Sequence, residues 1–422
     1  MLPLSPGVIL LIGIGVLSLW YFRPFRIAEA HNEPVLNLSL AKIFKDERTC
    51  LQILEGGRCG DGVNRHPAIF SRAIPNSRLI GAFGIDNAFT TKDQQQKAIF
   101  TKLAANFLQV SSNKSYYDWD QLRQKAKCIV KDTLVGHHTF VLVPLVQSLT
   151  LRMTFAIFFC VDPETVNYQT AKDIADGINK LWLASKDSTN IPKWTNQNNL
   201  HRLLESVIPG KSPLDRVHNP MNVILPAYET LWRVVLRCFI EIIDEERCGE
   251  QNSTAWRAVL KKFLEDPGQQ QARKSGKLSV FTIAKEALRL YPPTRRVYRM
   301  FKLDPASSSA GPVEQLVAAD VEAYQRDPSI WGLDADKFNP DRWATLFNQK
   351  LLAFGAKPFL CPASADFGFR TIALLTAALV IGIEEGGHNI LRDHKKDYPM
   401  PGQPLESGRE AYAALELFAP TS

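Results

Sequence analysis

From Asn222 to Ile243 the chain reads as one long helix, apolar on most faces, that nevertheless carries Glu229 and Thr230 in its first half. A carboxylate and a hydroxyl in so apolar a helix require a partner, water or a task. Pro226 in the same stretch removes one helical hydrogen bond and predicts a kink, which suits a helix that opens beside a ligand. A helix that starts at Pro226, with Glu229 in its first turn, is the alternative. Residues 92–110, 117–132, 141–159 and 170–185 also place apolar residues at helical spacing, with polar breaks such as 187–190. Two β-rich pieces, 296–301 and 315–318, stand among turn residues, and the Gly-rich run 56–62 reads as a loop. The expected class is mainly α with small β-sheets.

With 422 residues and 45% apolar content the chain can bury a large core, and no linker divides its main part. Seven cysteines at irregular spacing, without a CxxC pair or a Cys/His cluster, exclude a disulfide framework and a structural zinc site and point to a reducing compartment. The net charge of +7 favours anionic lipid or an acidic protein partner. The basic residues are scattered, with no basic-aromatic stripe, so nucleic acid is not an expected ligand.

Residues 1–22 carry no charged side chain, and as a helix Leu2 to Phe22 would reach roughly 30 Å, one hydrocarbon thickness. Trp20, Tyr21 and Phe22 followed by Arg23 and Arg26 read as an aromatic belt with basic anchors rather than as a cleaved signal. Residues 1–26 are therefore expected to be a membrane anchor, with residues 27–422 as a single domain on the cytosolic side.

Four spaced signals bear on chemistry. Ala227-Tyr228-Glu229-Thr230 lies in the long helix. Glu286 and Arg289 are three positions apart and share a helix face, where such a pair is ordinarily a surface ion pair of small value; Tyr291-Pro292-Pro293 ends that helix. Phe338-Asn339-Pro340-Asp341-Arg342-Trp343 follows, and then Phe354-Gly355-Ala356-Lys357-Pro358-Phe359-Leu360-Cys361-Pro362-Ala363. An isolated thiol is by default a buried free cysteine, but Cys361 lies seven residues after Phe354 and just before an apolar helix, 369–383.

In this order and with these gaps the four signals resemble the haem-thiolate monooxygenases, the cytochrome P450 family, in a microsomal fungal-type form with a divergent haem loop. The resemblance runs from about Arg65 to Pro420 and is firmest between Asn222 and Gly382. It implies that Cys361 is the axial ligand of the haem iron, where a thiolate favours O–O cleavage. It implies that Glu229 and Thr230 deliver protons during oxygen activation, and that Glu286, Arg289 and Arg342 form a buried triad that organises the loop beneath the haem. Arg299, Phe354 and Lys357 are the implied cofactor-binding residues. The family's loop has glycine where this chain has Lys357 and a propionate-binding arginine or histidine where it has Phe359. Trp119 and Arg123 literally match the family's Trp-x-x-x-Arg element, although residues 83–107 fit its position better. The part of the chain before Gly81 is short for a microsomal member.

The function implied is insertion of one oxygen atom from O2 into an apolar small molecule, in secondary metabolism, with electrons from NADPH through a membrane-bound cytochrome P450 reductase. The corresponding location is the endoplasmic reticulum membrane, in contact with lipid. The alternatives are a catalytically silent haem-binding or scaffold relative, which Lys357 and Phe359 favour, and an O2-independent haem isomerase or dehydratase, against which the Glu229-Thr230 pair weighs.

Overall fold

A computed structural model of the chain describes residues 36–110, 117–268, 278–304, 311–345, 349–391, 399 and 402–419, all within one compact unit, 35–422. The expected membrane anchor lies outside the described residues. The helices that matter for the site are α1 (Glu47–Glu55), α2 (Ala68–Asn76), α3 (Arg78–Phe83), α4 (Gln94–Phe107), α5 (Trp119–Leu134), α6 (Leu142–Phe159), α7 (Tyr168–Ala184), α8 (Asn198–Val207), α9 (Met221–Ile243), α10 (Glu250–Glu265), α11 (Val280–Leu290) and α12 (Phe367–Glu385). Their starts follow capping chemistry: Asp46, Asp93, Asp118, Asn167 and Ser279 each accept a hydrogen bond from an amide in the first turn. Gly56 ends α1 in the left-handed region at φ 82°, a conformation that a side chain would strain.

Helices α6 and α12 are apolar and long enough to cross a membrane, but both are largely buried in the fold and form its core. Helix α9 packs on α6 and α12, while α5, α10 and α11 also pack on α12. The α5–α12 crossing is close: a Cβ added to Gly382 would stand 2.6 Å from Val130 Cγ1, so only glycine fits there.

The expectation of small sheets is met. Strands β1 (Lys42–Phe44), β5 (Arg296–Leu303) and β6 (Val313–Asp320) form a sheet in the order β1-β6-β5, with β1 parallel and β5 antiparallel to β6. Within the Gly-rich run read as a loop, β2 (Arg58–Cys59) and β3 (Gly62–Val63) pair as a short hairpin. Strands β4 (Thr139–Val141), β7 (Asn389–Leu391) and β8 (Glu416–Phe418) form a third sheet, in the order β4-β8-β7. A second, smaller core packs against the β1-β6-β5 sheet through Ile53, Leu54, Phe301, Val317, Tyr324, Trp331 and Trp343.

Helix α9 starts at Met221, five residues before Pro226, so Pro226 is interior rather than initiating. Proline has no N–H to give to the carbonyl of Asn222, four residues back. That carbonyl instead accepts from Asn87 Nδ2 at 3.0 Å. The Asn222 side chain in turn accepts from the Asp86 amide at 2.7 Å and donates to the Arg216 carbonyl at 2.9 Å. The interruption in the helix thus fixes the segment after α3, and the hydrogen bonding of buried backbone remains accounted for.

Candidate functional site

Glu286 and Arg289 come from successive turns of α11, and Arg342 from the 3-10 turn Pro340–Ala344. The structure brings the three together. Arg289 donates to both Glu286 oxygens, at 3.0 and 2.7 Å, and Arg342 Nε donates to Oε1 at 2.8 Å. Glu286 and Arg289 have no solvent exposure, and Arg342 is 6% exposed. Two partners that the spacing did not announce complete the carboxylate: Trp343 Nε1 at 3.0 Å from Oε2 and the Asn339 amide at 3.0 Å from Oε1. Arg289 also donates to the carbonyls of Gln325 and Ala335, and Arg342 to that of Trp331 and to Asp334. A buried carboxylate that accepts five hydrogen bonds from four residues, and two guanidinium groups with carbonyl acceptors, form a satisfied network, which ties α11 to the segment that leads into the Cys361 loop.

Cys361 lies between that segment and α12, half-buried, with its amide donating to the Phe354 carbonyl at 2.9 Å. Phe354 packs edge-on against Phe369, with ring centres 5.2 Å apart, and lies over Gly368, where a Cβ would meet its ring at 3.0 Å. Burial pushes the Cys361 thiol above its ordinary value, while the Ala363 amide and the Arg72 charge pull it down. Lys357 is exposed, and its charge does not replace the arginine or histidine whose position Phe359 occupies.

The charge at that position comes from elsewhere in the chain. Arg72 of α2, Lys97 of α4 and Arg299 of β5 stand 4.9, 4.6 and 5.3 Å from the centre of the Phe359 ring. Burial lowers Arg72 to about 10, and burial together with Arg72 lowers Arg299 to about 9; Lys97 is lowered by the same two causes. Three cations around one ring are at most about 10 Å apart, so at an effective dielectric of 20 each pair repels by at least ~1.6 kcal/mol. Cation–π attraction is of similar size, ~0.5–2 kcal/mol per contact, and leaves the excess charge uncompensated. Arg72, Lys97 and Arg299 have no carboxylate within ion-pair distance among the described residues, and Arg299 Nε is buried without an acceptor. The cluster calls for external carboxylates close to Cys361. A haem, with its two propionates, fits this donor set.

Of the expected cofactor-binding residues, Arg299 is therefore in this cluster, Phe354 packs behind the Cys361 loop, and Lys357 faces solvent. Arg72 and Lys97 were missed by the sequence reading. The one available signal for Lys97 was its position in 83–107, the region that fits the family's propionate-binding element better than Trp119 and Arg123 do. Arg123 donates to the carbonyls of Leu264 and Glu265 at the end of α10, and Trp119 packs on Phe367 and Arg370.

On α9, Glu229 is buried and its Oε2 pairs with Arg409, whereas its Oε1 has no hydrogen-bond partner. Thr230 Oγ1 donates back to the Pro226 carbonyl at 2.9 Å. Val223, Pro226, Ala227 and Thr230 are half-buried, as are Leu231, Arg233 and the terminal Ile243, while the rest of α9 is buried, so the helix is partly open around the proline.

No family profile matches the chain. In sequence it resembles cytochrome P450 750A1 of Pinus taeda, with 28% identity over 167 residues, and cytochrome P450 714A2 of Arabidopsis thaliana, with 30% over 109 residues. The chain spans 29% and 21% of the lengths of these two relatives, and the matches take in 36% and 24% of the chain. In structure it resembles P450 EryK in complex with erythromycin B, over 99% of this chain and 97% of that one, with a TM-score of 0.54 and 15% identity. A thermophilic cytochrome P450 from Sulfolobus tokodaii superposes with the same TM-score over 93% of this chain and 98% of its own. The chain therefore has the cytochrome P450 fold along its length and resembles proteins of that family locally in sequence.

Proposed function

We propose that this protein is a haem-thiolate monooxygenase, with Cys361 as the iron ligand and Arg72, Lys97 and Arg299 as the cations for the haem propionates. The observation that carries this reading is the convergence of three cations from distant segments, without acidic partners among the described residues, on the ring two positions before Cys361. When bound, the haem supplies oxygen activation and insertion of one oxygen atom into a C–H bond or alkene, at the expense of two electrons and two protons.

The chain's own residues serve that chemistry in three ways. The Glu286 network ties α11 to the Pro340–Ala344 turn, upstream of the Cys361 loop, and so supports the segment from which the thiol is presented. The half-buried strip of α9 offers an apolar substrate a surface beside Thr230. Glu229 Oε1, buried and unpartnered, is one residue from the Thr230 hydroxyl, and the two are the groups placed to hold and pass protons on this helix. Electrons from NADPH through a membrane-bound reductase, a single-pass anchor at residues 1–26 in the endoplasmic reticulum membrane, a cytosolic domain in contact with lipid and a role in secondary metabolism complete the proposal. The basic net charge suits an acidic reductase surface.

A second reading, a haem-binding relative without catalysis, is favoured by the Phe359 ring among the three cations and by the exposure of Lys357. The test is the reduced-minus-oxidised carbon monoxide difference spectrum of the full chain in microsomes, beside Cys361→Ala. The monooxygenase reading requires a long-wavelength thiolate Soret band that disappears in the variant, together with NADPH-dependent oxygen uptake when reductase is added. A folded wild type without haem rejects both readings; a thiolate band without oxygen uptake selects the silent relative.

A further inference from the structure

A second group of cations gathers around one indole. The guanidinium of Arg78, at the start of α3, lies 5.0 Å from the centre of the Trp182 ring, and that of Arg409, in the C-terminal segment, lies 4.9 Å from it. Arg78 donates to the Ser185 hydroxyl, and Arg409 donates to Glu229 and, at 3.0 Å, to Asn179 Oδ1. Lys186 follows α7 by two residues at the solvent edge, and partial desolvation of its ammonium together with the like charges of Arg409, Arg78, Arg233 and Arg295 lowers it. Of these cations, Arg409 pairs with Glu229 and Arg295 with Glu322, Arg233 donates to the Pro293 and Ser407 carbonyls, and neither Arg78 nor Lys186 has an ion-pair partner among the described residues. The Nε atoms of Arg78, Arg233 and Arg409 are buried without an acceptor. The Arg409 side chain is 5% exposed, so its charge is not dissipated in bulk water.

The cluster adjoins the open strip of α9 through Glu229, which precedes Thr230 in the chain. Guanidinium groups present planar forks of N–H donors that match the two oxygens of a carboxylate better than they match a hydroxyl. Resting on the reading of α9 as the wall of the reaction site, we propose that Arg78, Lys186 and Arg409 around Trp182 bind the carboxylate head of an otherwise apolar substrate. The substrate class is then a carboxylic acid with an aliphatic or aromatic body, anchored at its head with its body along Pro226, Ala227 and Thr230. Lys186, at the solvent edge, draws the anion in, and Arg78 takes it from water.

The test is equilibrium dialysis of radiolabelled octanoate and of 1-octanol against the full chain in nanodiscs of neutral lipid, for wild type, Arg78→Gln and Lys186→Gln. Octanoate is expected to bind saturably and on the order of tenfold more tightly than 1-octanol. Arg78→Gln is expected to lose that advantage with 1-octanol binding unchanged, and Lys186→Gln to lose about threefold of it, more at low salt than at high salt. Should Arg78→Gln fail to fold by circular dichroism, the exposed Lys186 variant carries the comparison. Equal affinity for the two probes in the wild type, or an octanoate preference intact in every folded variant, overturns the proposal. Dialysis reads binding without haem chemistry. An octanoate preference without a thiolate Soret band rejects the monooxygenase reading and keeps the anion site; the band without the preference rejects the anion site alone.

Discussion

Glu286 shows what a single residue does in this fold. Its carboxylate is the shared acceptor of two buried guanidinium groups, an indole N–H and a backbone amide, so its removal leaves two cations in a region without water. Glu286→Gln is expected to cost roughly 3–5 kcal/mol, read from the urea midpoint at constant slope; a loss below about 1 kcal/mol would show that the network is not integral to stability. Asp334 adds a pH dependence. Burial pushes its carboxyl up, but hydrogen bonds from Asn339 and Arg342 and the Arg342 charge outweigh that effect and hold it below the usual carboxylate range. A depressed folded value means stabilisation that is complete above the unfolded value of about 3.9 and is lost as the pH falls through the folded one. With the side chain 40% exposed the contribution is modest. Asp334→Asn is expected to lower stability at pH 7 and to flatten its fall below about pH 4; an unchanged acid limb in thermal melts would remove Asp334 from that role.

Among the elements, α9 depends on a long-range repair of a local defect. Pro226 withholds an N–H from the Asn222 carbonyl, and Asn87, far away in sequence, provides one. Asn87→Ala is expected to cost about 1–3 kcal/mol, because a buried carbonyl loses its donor. Combined with Pro226→Ala, which restores a helical N–H, the loss should shrink. A double-mutant cycle in which the two changes simply add would contradict this account. The helices themselves were legible: 92–110, 117–132, 141–159, 170–185 and 222–243 each correspond to an observed helix within a few residues, because apolar spacing and Asp, Asn or Ser caps are local properties of the chain. The β2–β3 hairpin was not legible, since two-residue strands carry no period-two pattern to read.

At the scale of the whole molecule, the fold is that of the cytochrome P450s, although sequence identity to the solved structures is only 14–15%. In this chain that fold is built around α9, which packs on α6 and α12, with α5, α10 and α11 also on α12. The expected anchor at residues 1–26 makes one prediction at this scale. The full chain should sediment with membranes and resist alkaline carbonate extraction, while a chain beginning at residue 27 should be extracted; equal extraction of the two would remove the anchor from the proposal.

Much of the site could be read from the chain because its parts are local. Glu286 and Arg289 lie on one turn-to-turn face, and Phe354 and Cys361 lie in one loop, so their spacing carries their relation. By itself the sequence determined the helical class, the pairing of Glu286 with Arg289 and the candidate thiol, since period and spacing are properties of neighbouring residues. The tertiary structure alone decided which cations stand by that thiol and which partner Glu229 takes. Arg72, Lys97 and Arg299 come from α2, α4 and β5, and Arg409 comes from the far C-terminal segment. Convergence of charges from such distant segments is set by how helices and sheet pack, and no pattern along the chain encodes it.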